Sequence, residues 1–557
     1  MDLSSGHSTK KSEDVAQRIL REFSTVQGSR GVWESQWQEV AERIWPSMSW
    51  KFNPYWYSTA GAKKNDFVYD STASLALNRF GSILDSLLTP RNQTWHGLAA
   101  SDPKLNQKRE VKMWFEEVSS ILFQFRYNPA ANFASQNQMV FKSVGAFGSG
   151  CLFIDKLWNA RGLRYKTIGL GEMYWVENHQ GIIDKCFRYF DLTARQAVQK
   201  WGDKVPEAIK KMADTNPENV YHFIHCVEPR EDWDPERLDH KGMKFASFYV
   251  SKEENKVLEE GGYHVFPYAP SRYEQYPGES YGRSPAMDLL PAIKTLNEEK
   301  KTILKQGQRI VDPVLLAHDD GVLDAFSLKP GALNAGGVTA DGRPLVHALP
   351  TGNLTIGKEL MDDERNLIND GFLVSLFQIL TESPQMTATE VLERTREKGI
   401  LLAPTIGRQQ SEYLGPMIER ELDLLSQQGL LPPMPQILKE AQGDYKIVYD
   451  SPLTRAQKAE EASGLMRTVE SMLQVVQITQ DPSMLDIFDW DIIGPAIAEI
   501  NAVPFHWMKD PQKMMMQRQA RAQQMQQQQA MQAAPGAAAL ISSGAKAHKA
   551  LNGGGSG

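Results

Sequence analysis

Cysteines are few in this chain of 557 residues, and long apolar runs are missing. The three cysteines, Cys151, Cys186 and Cys226, are odd in number and scattered, which argues against a disulfide framework and suits a reducing cytosol. Apolar stretches such as GFLVSLFQIL fall short of the roughly 18 residues that a membrane span needs. The polar N-terminus also lacks the apolar region of a signal peptide. We therefore expect a protein that is made in the cytoplasm and has no membrane span.

An excess of positive charge is missing too. The chain has 61 Lys and Arg against 68 Asp and Glu, a formal net charge of −7. That balance argues against a protein that coats nucleic acid with a basic surface. The hydrophobic content of 41% is normal for a globular protein, and the length exceeds what one core usually serves. Two or more domains are expected.

Recognisable catalytic and metal-binding motifs are also missing. Residues 352–358 match the first seven positions of a P-loop, but Glu359 stands where the Mg²⁺-binding Ser or Thr should be. The acids at 362–364 would repel a nucleotide further, whereas they suit the N-terminus of a helix. His222 and His225 are close in sequence, but residues three apart on a strand point to opposite faces. We predict no catalytic residue, no metal site and no cofactor.

Helices and strands mix in the first half of the chain, which predicts an α+β body. Helical periodicity is found at about 14–44, 70–88, 105–125 and 132–147. Strand-like segments follow at about 163–190, 220–227, 245–250 and 256–258. Much later in the chain, residues 444–450 read as a strand returning to the first-half sheet.

Two helices separated by a Gly-rich excursion occupy the centre of the chain. Ser284 and Pro285 are typical of an N-cap and a first helical residue, and Pro313 ends this first helix after Asp312. Its apolar stripe comprises Ile293, Leu296, Ile303, Leu304, Gly307, Ile310 and Val311. On another face Lys301, Lys305 and Arg309 recur every four residues.

Short apolar runs and glycines up to residue 357 predict small strands and turns. A second helix is predicted at about 358–380, with one face formed by Leu360, Leu367, Ile368, Gly371, Phe372, Ser375 and Ile379. Two helices joined by a protruding β excursion form a stalk with a knob. Such a shape suits assembly better than the enclosure of a substrate.

Six segments follow one another along the chain: YDSTASLALNRFGSILDSLLTP, FRYFDLTARQAVQKWG, YGRSPAMDLLPAIKTLNEEKK, MTATEVLERTRE, APTIGRQQSEYLGPMIERELDLL and IVYDSPLTRAQKAEE. Taken together, they resemble the portal (head-to-tail connector) proteins of short-tailed, podovirus-type bacteriophages. The similarity covers roughly residues 10–510. No single motif is as specific as a metal-ligand spacing, but six in sequence are hard to produce by chance.

The resemblance implies the portal fold, with a wing, a two-helix stem, a β-containing clip and a helical crown. Carried onto this chain, it implies a wing at 1–280 and 390–450, stem helices at 281–311 and 358–380, a clip at 312–357, a tunnel loop at 381–389, a crown at 451–510 and a Gln/Met-rich and Ala/Gly-rich tail, partly disordered, at 511–557.

The resemblance also implies a function. Portal subunits form a ring, usually a dodecamer, at one capsid vertex of the virion, and double-stranded DNA is packaged and ejected through its channel. The partners implied are the major capsid and scaffolding proteins, the terminase, the tail adaptor and internal core proteins. Two alternatives remain: another structural ring of the virion, such as a tail adaptor, and a nucleotide-driven packaging enzyme, against which Glu359 argues.

Two sets of residues are candidates for contact with DNA in such a channel. Ring symmetry turns each residue into a circle of charge, so Lys301, Lys305 and Arg309 could face the lumen. Ion pairs between subunits, with the acids of 359–364, are an equal alternative. In the tunnel loop, a mobile constriction would touch DNA, and an ordinary helix connector is the alternative. Its candidate residues are Glu382, Ser383, Pro384, Gln385 and Met386.

Overall fold

Two compact units make up the chain, Met1–Leu453 and Thr454–Gly557. A computed structural model describes residues 4–52, 64–106, 108–317, 327, 329, 331–334, 336–350, 354–374, 402–441, 443–449, 464–474, 487–500, 507–509 and 513–525. Helices and strands are mixed in the first unit, so the prediction of an α+β fold is confirmed. No described helix has both the length and the apolar character needed to cross a bilayer.

The helices of the first unit lie mostly in its first half and its centre. Those labelled here are α1 (Ser4–Ser29), α2 (Gly31–Ile44), α3 (Thr72–Leu88), α4 (Pro103–Asn106), α5 (Arg109–Arg126), α6 (Phe133–Phe147), α7 (Ala194–Trp201), α8 (Glu207–Thr215), α9 (Pro285–Asp288), α10 (Leu290–Val311) and α11 (Leu354–Gly371). Later, residues 402–408 are helical and lead through a π-helical turn, Gln409–Leu414, into the helix Gly415–Gln427. The short helix Gln436–Glu440 follows.

Within the described residues, four antiparallel sheets accompany these helices. The strands are β1 (His96–Ala100), β2 (Ser149–Lys156), β3 (Leu163–Ile168), β4 (Met173–Glu177), β5 (Ile183–Thr193), β6 (Val220–Pro229), β7 (Phe245–Ser251), β8 (Lys256–Tyr263), β9 (Tyr268–Arg272), β10 (Leu315–Ala317), β11 (Val346–Ala348) and β12 (Tyr445–Tyr449). The largest sheet has the order β4-β5-β6-β7-β8, and a three-stranded sheet has the order β3-β2-β9.

The strand predicted at 444–450 is present as β12, but it does not join either of these larger sheets. It pairs with β1, so that His96 lies opposite Tyr449 and Ala100 opposite Tyr445. Sequence reasoning missed β1, which is only five residues long and follows directly on a turn. The expectation of a return to the main first-half sheet was therefore wrong, because the partner strand was not predicted.

A main hydrophobic core joins α2, α3, α5 and α6 to the three-stranded sheet, and it includes Trp37, Phe80 and Phe141. At the end of α6, Gly148 has φ +72°, and a Cβ there would lie 2.1 Å from the main-chain oxygen of Gly282. Only glycine permits that approach and that backbone conformation together. The contact brings the end of α6 against the chain just before α9, where the predicted stem begins.

A buried ion pair ties the end of α5 to the helix Gly415–Gln427. Arg126 donates from Nε to Oε1 of Glu421 at 3.0 Å, and a second hydrogen bond joins Nη2 to the other carboxylate oxygen. The Tyr165 hydroxyl donates to Glu421 at 2.6 Å, and the His96 ring nitrogen lies 2.7 Å from Arg126. Burial, with the neighbouring Arg126 charge, holds the pKa of His96 well below its usual range. One buried network of side chains therefore joins α5 and β1 to the helix Gly415–Gln427.

The described residues of the second unit include three helical segments. These are residues 464–474, the helix Trp490–Ile500 and residues 513–525. Arg518 donates to the Asp491 carboxylate at 2.7 Å, which joins the last two of these segments.

Candidate channel stem and clip

The predicted start of the first stem helix is present, but the helix is interrupted. Ser284 caps α9 by accepting from the Met287 main-chain N–H at 3.1 Å, and its hydroxyl donates to Ala146 O at the end of α6. A break at Leu289 separates α9 from α10. The predicted continuous helix from 285 to 311 was wrong at this point. Pro291 has no N–H to donate to the preceding turn, which explains the break.

The segment predicted to form the clip begins where α10 ends, at Val311. Leu315 in β10 lies opposite Ala348 in β11, and Ala317 opposite Val346. Leu349 then donates its N–H to Val314 O at 2.9 Å. This antiparallel pairing returns the chain toward the body, and α11 follows from Leu354.

The second stem helix differs from its prediction at both ends. It begins at Leu354 and not at 358, so most of the P-loop-like stretch is helical and is not a phosphate-binding loop. It ends at Gly371, and Leu373 adopts a left-handed conformation with φ +60°. The buried Phe372 ring packs against Phe80 of α3. This burial turns the chain toward the body core, so the predicted uninterrupted helix to 380 was wrong; residues after 374 in that range lie outside those described.

The two stem helices pack closely through two glycines. A Cβ on Gly357 would lie 2.8 Å from Ile303 Cδ1, and one on Gly371 would lie 2.5 Å from Leu289 Cδ1. Gly357 and Gly371 are fourteen residues apart on α11, and Ile303 lies fourteen residues after Leu289, the residue directly before α10; the two segments run in opposite directions. At a rise of about 1.5 Å per residue, the antiparallel contact therefore runs for about 21 Å.

A polar anchor fixes the base of the stem to α3. The Asn297 side-chain oxygen accepts from the main-chain N–H groups of Tyr69 at 2.9 Å and Asp70 at 3.1 Å. The Asp70 carboxylate pairs with Arg365 of α11 at 2.6 Å. Burial alone would raise the pKa of Asp70, but hydrogen bonds from Thr72 and Arg365 outweigh it and lower the pKa. Both stem helices thus meet the N-terminus of α3.

The stem helices carry opposite charge. By sequence, α10 has five basic and two acidic residues, and α11 has two basic and five acidic residues. Lys301 lies 3.2 Å from Glu298, with its ammonium 5.5 Å from the Tyr69 ring centre. Lys305 and Arg309 are exposed, and within the described part of the chain no ion pair is found for either. At 100° per residue, this basic face lies on the side of α10 away from Ile303 and α11.

Two carboxylates face each other between the helices. Glu299 of α10 and Glu364 of α11 each have one buried carboxylate oxygen with no hydrogen-bond partner among the described residues. Burial and the Glu364 charge raise the pKa of Glu299. The stem of a single chain therefore contains an unrelieved acidic contact.

The predicted apolar stripes are only partly buried. Ile293 and Leu296 of α10 lie in the core, whereas Leu304 and Val311 are 48% and 87% exposed. On α11, Leu360 and Leu367 are each 51% exposed. Each exposed pair is spaced seven residues apart, the spacing of side chains along a coiled-coil seam. We call these two pairs the stem seams; the sequence places both pairs on predicted apolar stripes, but periodicity alone does not show that these four side chains are exposed.

Among its described residues, the predicted clip has little core of its own. Leu345 is buried, while Val314, Leu316, Leu333, Val338 and Leu349 are exposed. An isolated two-stranded hairpin is at best marginally stable in water. The clip therefore has the composition of a segment that packs on further protein. The tunnel-loop residues Glu382, Ser383, Pro384, Gln385 and Met386 lie outside the described residues, so their arrangement stays a prediction.

The comparisons with known proteins agree with this architecture. The model of the bacteriophage head to tail connecting protein family matches residues 16–508. This chain belongs to that family. Its relatives include a probable portal protein of Bordetella phage BPP-1, 29% identical over 485 residues, which covers 85% of each chain. The portal protein of Salmonella phage epsilon15 is 27% identical over 507 residues, covering 88% of each. The resemblance to phage portal proteins is confirmed.

Proposed function

We propose that this chain is the subunit of a phage portal, a ring at one capsid vertex of the virion. Double-stranded DNA passes through its channel during packaging and ejection. The proposal is supported by membership of a connector family, which is structural, and by two relatives named portal proteins. The observation that supports assembly into a ring is the exposure of the two stem seams.

The seams suggest how neighbouring subunits meet. Leu304 and Val311 form one apolar row, Leu360 and Leu367 form another, and both rows lie beside the contact between α10 and α11. Two different surfaces that pack head-to-tail generate a closed ring when the rotation between copies closes. We place the α10 seam of one subunit against the α11 seam of the next. The basic α10 and acidic α11 make that contact electrostatically complementary.

In this arrangement the basic face of α10 faces the lumen of the ring. Lys305 and Arg309 lie away from α11 and off the seam, which supports rings of positive charge facing DNA. Lys301 already forms an ion pair with Glu298 of the same helix. Each phosphate that a cation neutralises adds salt-sensitive binding, so a translocation channel should hold few such rings. The alternative is that these cations pair with α11 acids of the neighbouring subunit, and assembly of the variant Lys305→Glu decides between them.

The remaining assignments follow the family. We propose that the ring is a dodecamer and that the clip, 312–357, meets the terminase and later the tail adaptor. The wing, 1–280 and 390–450, would contact capsid, scaffolding and internal core proteins, with the crown at 451–510. Residues 381–389 would form the tunnel loop. The exposed apolar side chains of the clip support a role in docking.

The mass of the purified protein in solution tests the proposal. One chain has a mass of 62.7 kDa. Light scattering coupled to size-exclusion chromatography should report one assembly of many copies. A monomer or dimer at micromolar concentration, with the fold intact by circular dichroism, would contradict a portal ring. Addition of ATP should leave the assembly unchanged and yield no phosphate, whereas hydrolysis would favour the packaging-enzyme alternative.

A further inference from the structure

A short turn at the base of the stem presents two large aromatic side chains to solvent. It comprises residues 65–70, which we call the shoulder, and it lies directly before α3. Phe67 is 51% exposed and Tyr69 is 42% exposed. Aromatic residues are enriched where proteins meet one another, because each ring carries a large apolar area. The shoulder therefore has the composition of a contact surface.

Main-chain hydrogen bonds hold the shoulder in place. The N–H of Val68 donates to Asn65 O at 3.1 Å and closes the turn. The N–H groups of Tyr69 and Asp70 both donate to the side-chain oxygen of Asn297 in α10. None of these bonds uses an aromatic ring, so both rings remain available to a partner. A contact surface that is fixed in advance loses less conformational freedom on binding than a loose one.

The shoulder continues the α10 seam toward the body. Asn297 precedes Leu304 by seven residues and Leu304 precedes Val311 by seven, so the three lie along one line of α10. At Asn297 this line is covered by the shoulder, and further out it is exposed at the two seam residues. A neighbouring subunit that packs on the α10 seam therefore meets the shoulder as well.

The glycine contacts between α10 and α11 show which residues are level with each other along the stem. They place Asn297 level with Asp363, which is about midway between the seam residues Leu360 and Leu367. In a ring whose stem runs along the axis, every copy holds a given residue at the same height. Because its main chain is bonded to Asn297, Tyr69 comes to a height between the two leucines of the neighbouring subunit.

Without the shoulder, Leu367 would have no partner within the α10 seam. It is level with Ile293, which is buried in the core of its own chain. The nearer of the two α10 seam residues, Leu304, lies about 16 Å further along the stem. The ring of Tyr69 stands between these two heights and fills the gap.

The charges beside the shoulder belong at the edge of such a contact. The Lys301 ammonium lies 5.5 Å from the Tyr69 ring centre and 3.2 Å from Glu298. Since Lys301 is already paired, the aromatic rings and not a free cation supply the attraction. The shoulder also carries the exposed Asp66, and Asp363 is exposed on α11. Like charges are tolerated where water screens them, so we place Asp66 at the polar rim and the rings at the centre.

We propose that Tyr69, together with Phe67 of the same turn, packs between Leu360 and Leu367 of the neighbouring subunit. This contact rests on the proposed ring, and it adds to the stem helices a body segment that is far from them in sequence. From the body outward, the interface then contains Leu367, Tyr69, Leu360 and Leu304, and side chains of the two subunits alternate along it. The partner of the shoulder is thus a second copy of this chain.

Chemical cross-linking within co-assembled rings tests the contact directly. Subunits with Tyr69→Cys are co-expressed with subunits with Leu367→Cys, and the purified ring is treated with a short bis-maleimide. The native cysteines are all buried, so they should not react. A covalent dimer on a denaturing gel is expected only when both kinds of subunit are present, since each variant alone lacks the facing thiol.

Two further pairs separate this contact from the ring itself. Leu304→Cys with Leu360→Cys tests the stem seams alone and should cross-link. Val311→Cys with Leu367→Cys should not cross-link, because the two residues differ in height by about 27 Å. A ring that cross-links through the seams but not through Tyr69 would overturn the shoulder contact, while the proposed portal ring would stand. A parent protein that forms no ring would overturn both.

Removal of the two aromatic side chains should weaken assembly. The double variant Phe67→Ser/Tyr69→Ser should dissociate at a protein concentration at least about tenfold higher than the parent, because about half of each side chain is left for a neighbour to bury. Trp158→Ser is the matched control, since Trp158 is 68% exposed in the turn between β2 and β3, and it should assemble as the parent does. Equal assembly of the double variant and the parent would contradict the contact.

Discussion

The α11 seam offers the sharpest test of subunit contact. Leu360 and Leu367 are each about half exposed in one chain, so about half of a leucine's transfer free energy remains available to a neighbour. Full burial of a leucine contributes about 1.5–3 kcal/mol, so the two residues together offer about 2 kcal/mol per interface. That corresponds to about a 30-fold change in the affinity of each contact. The double variant Leu360→Asp/Leu367→Asp should lose this contact free energy, and it adds two carboxylates whose burial at the interface is unfavourable.

Assembly is measured by light scattering after size-exclusion chromatography over a range of protein concentrations. The variant should dissociate at concentrations where the parent remains assembled, with unchanged circular dichroism. Leu238→Asp is the matched control: Leu238 is fully exposed between β6 and β7 and lies on no seam, so its variant should assemble as the parent does. Parent-like assembly of the seam variant would refute the proposed contact between subunits.

Three further predictions concern the buried charges and the channel. Arg126→Met should lower the free energy of unfolding by about 3–5 kcal/mol, because it leaves the buried Glu421 carboxylate without its positively charged partner. Urea unfolding measures this loss, and the double variant Arg126→Met/Glu421→Met should lose less stability than the single variant. Glu299→Gln should raise the melting temperature near neutral pH. The raised pKa of this acid favours the protonated folded state, so the parent loses stability as the pH rises through that pKa, and the gain should vanish at about pH 4. Lys305→Glu should leave assembly intact but change the salt dependence of DNA retention in particles; loss of assembly would instead support an ion pair between subunits.

The sequence predicts best where a local signal acts alone. The N-cap at Ser284 is present as predicted, because a cap needs only a few neighbouring residues. The helices α3 and α6 likewise follow from strong apolar periodicity. Here tertiary structure reinforces the local preference.

The features that the sequence did not predict depend on contacts between residues far apart in the chain. Apolar periodicity does not show which residues of a stripe pack on the body and which stay exposed. Leu304 and Val311 lie on the same predicted stripe as the buried Ile293 and Leu296, yet they are exposed. The break at Leu289 and the early start of α11 follow from Pro291 and from the fit of Gly357 against Ile303, a contact between residues 54 positions apart.

Images of the purified assembly by negative-stain electron microscopy test the central claim most directly. The account predicts end views of a closed ring with a central hole wide enough for duplex DNA, and side views with a narrower projecting stem. Compact particles without a hole, or open filaments, would contradict it.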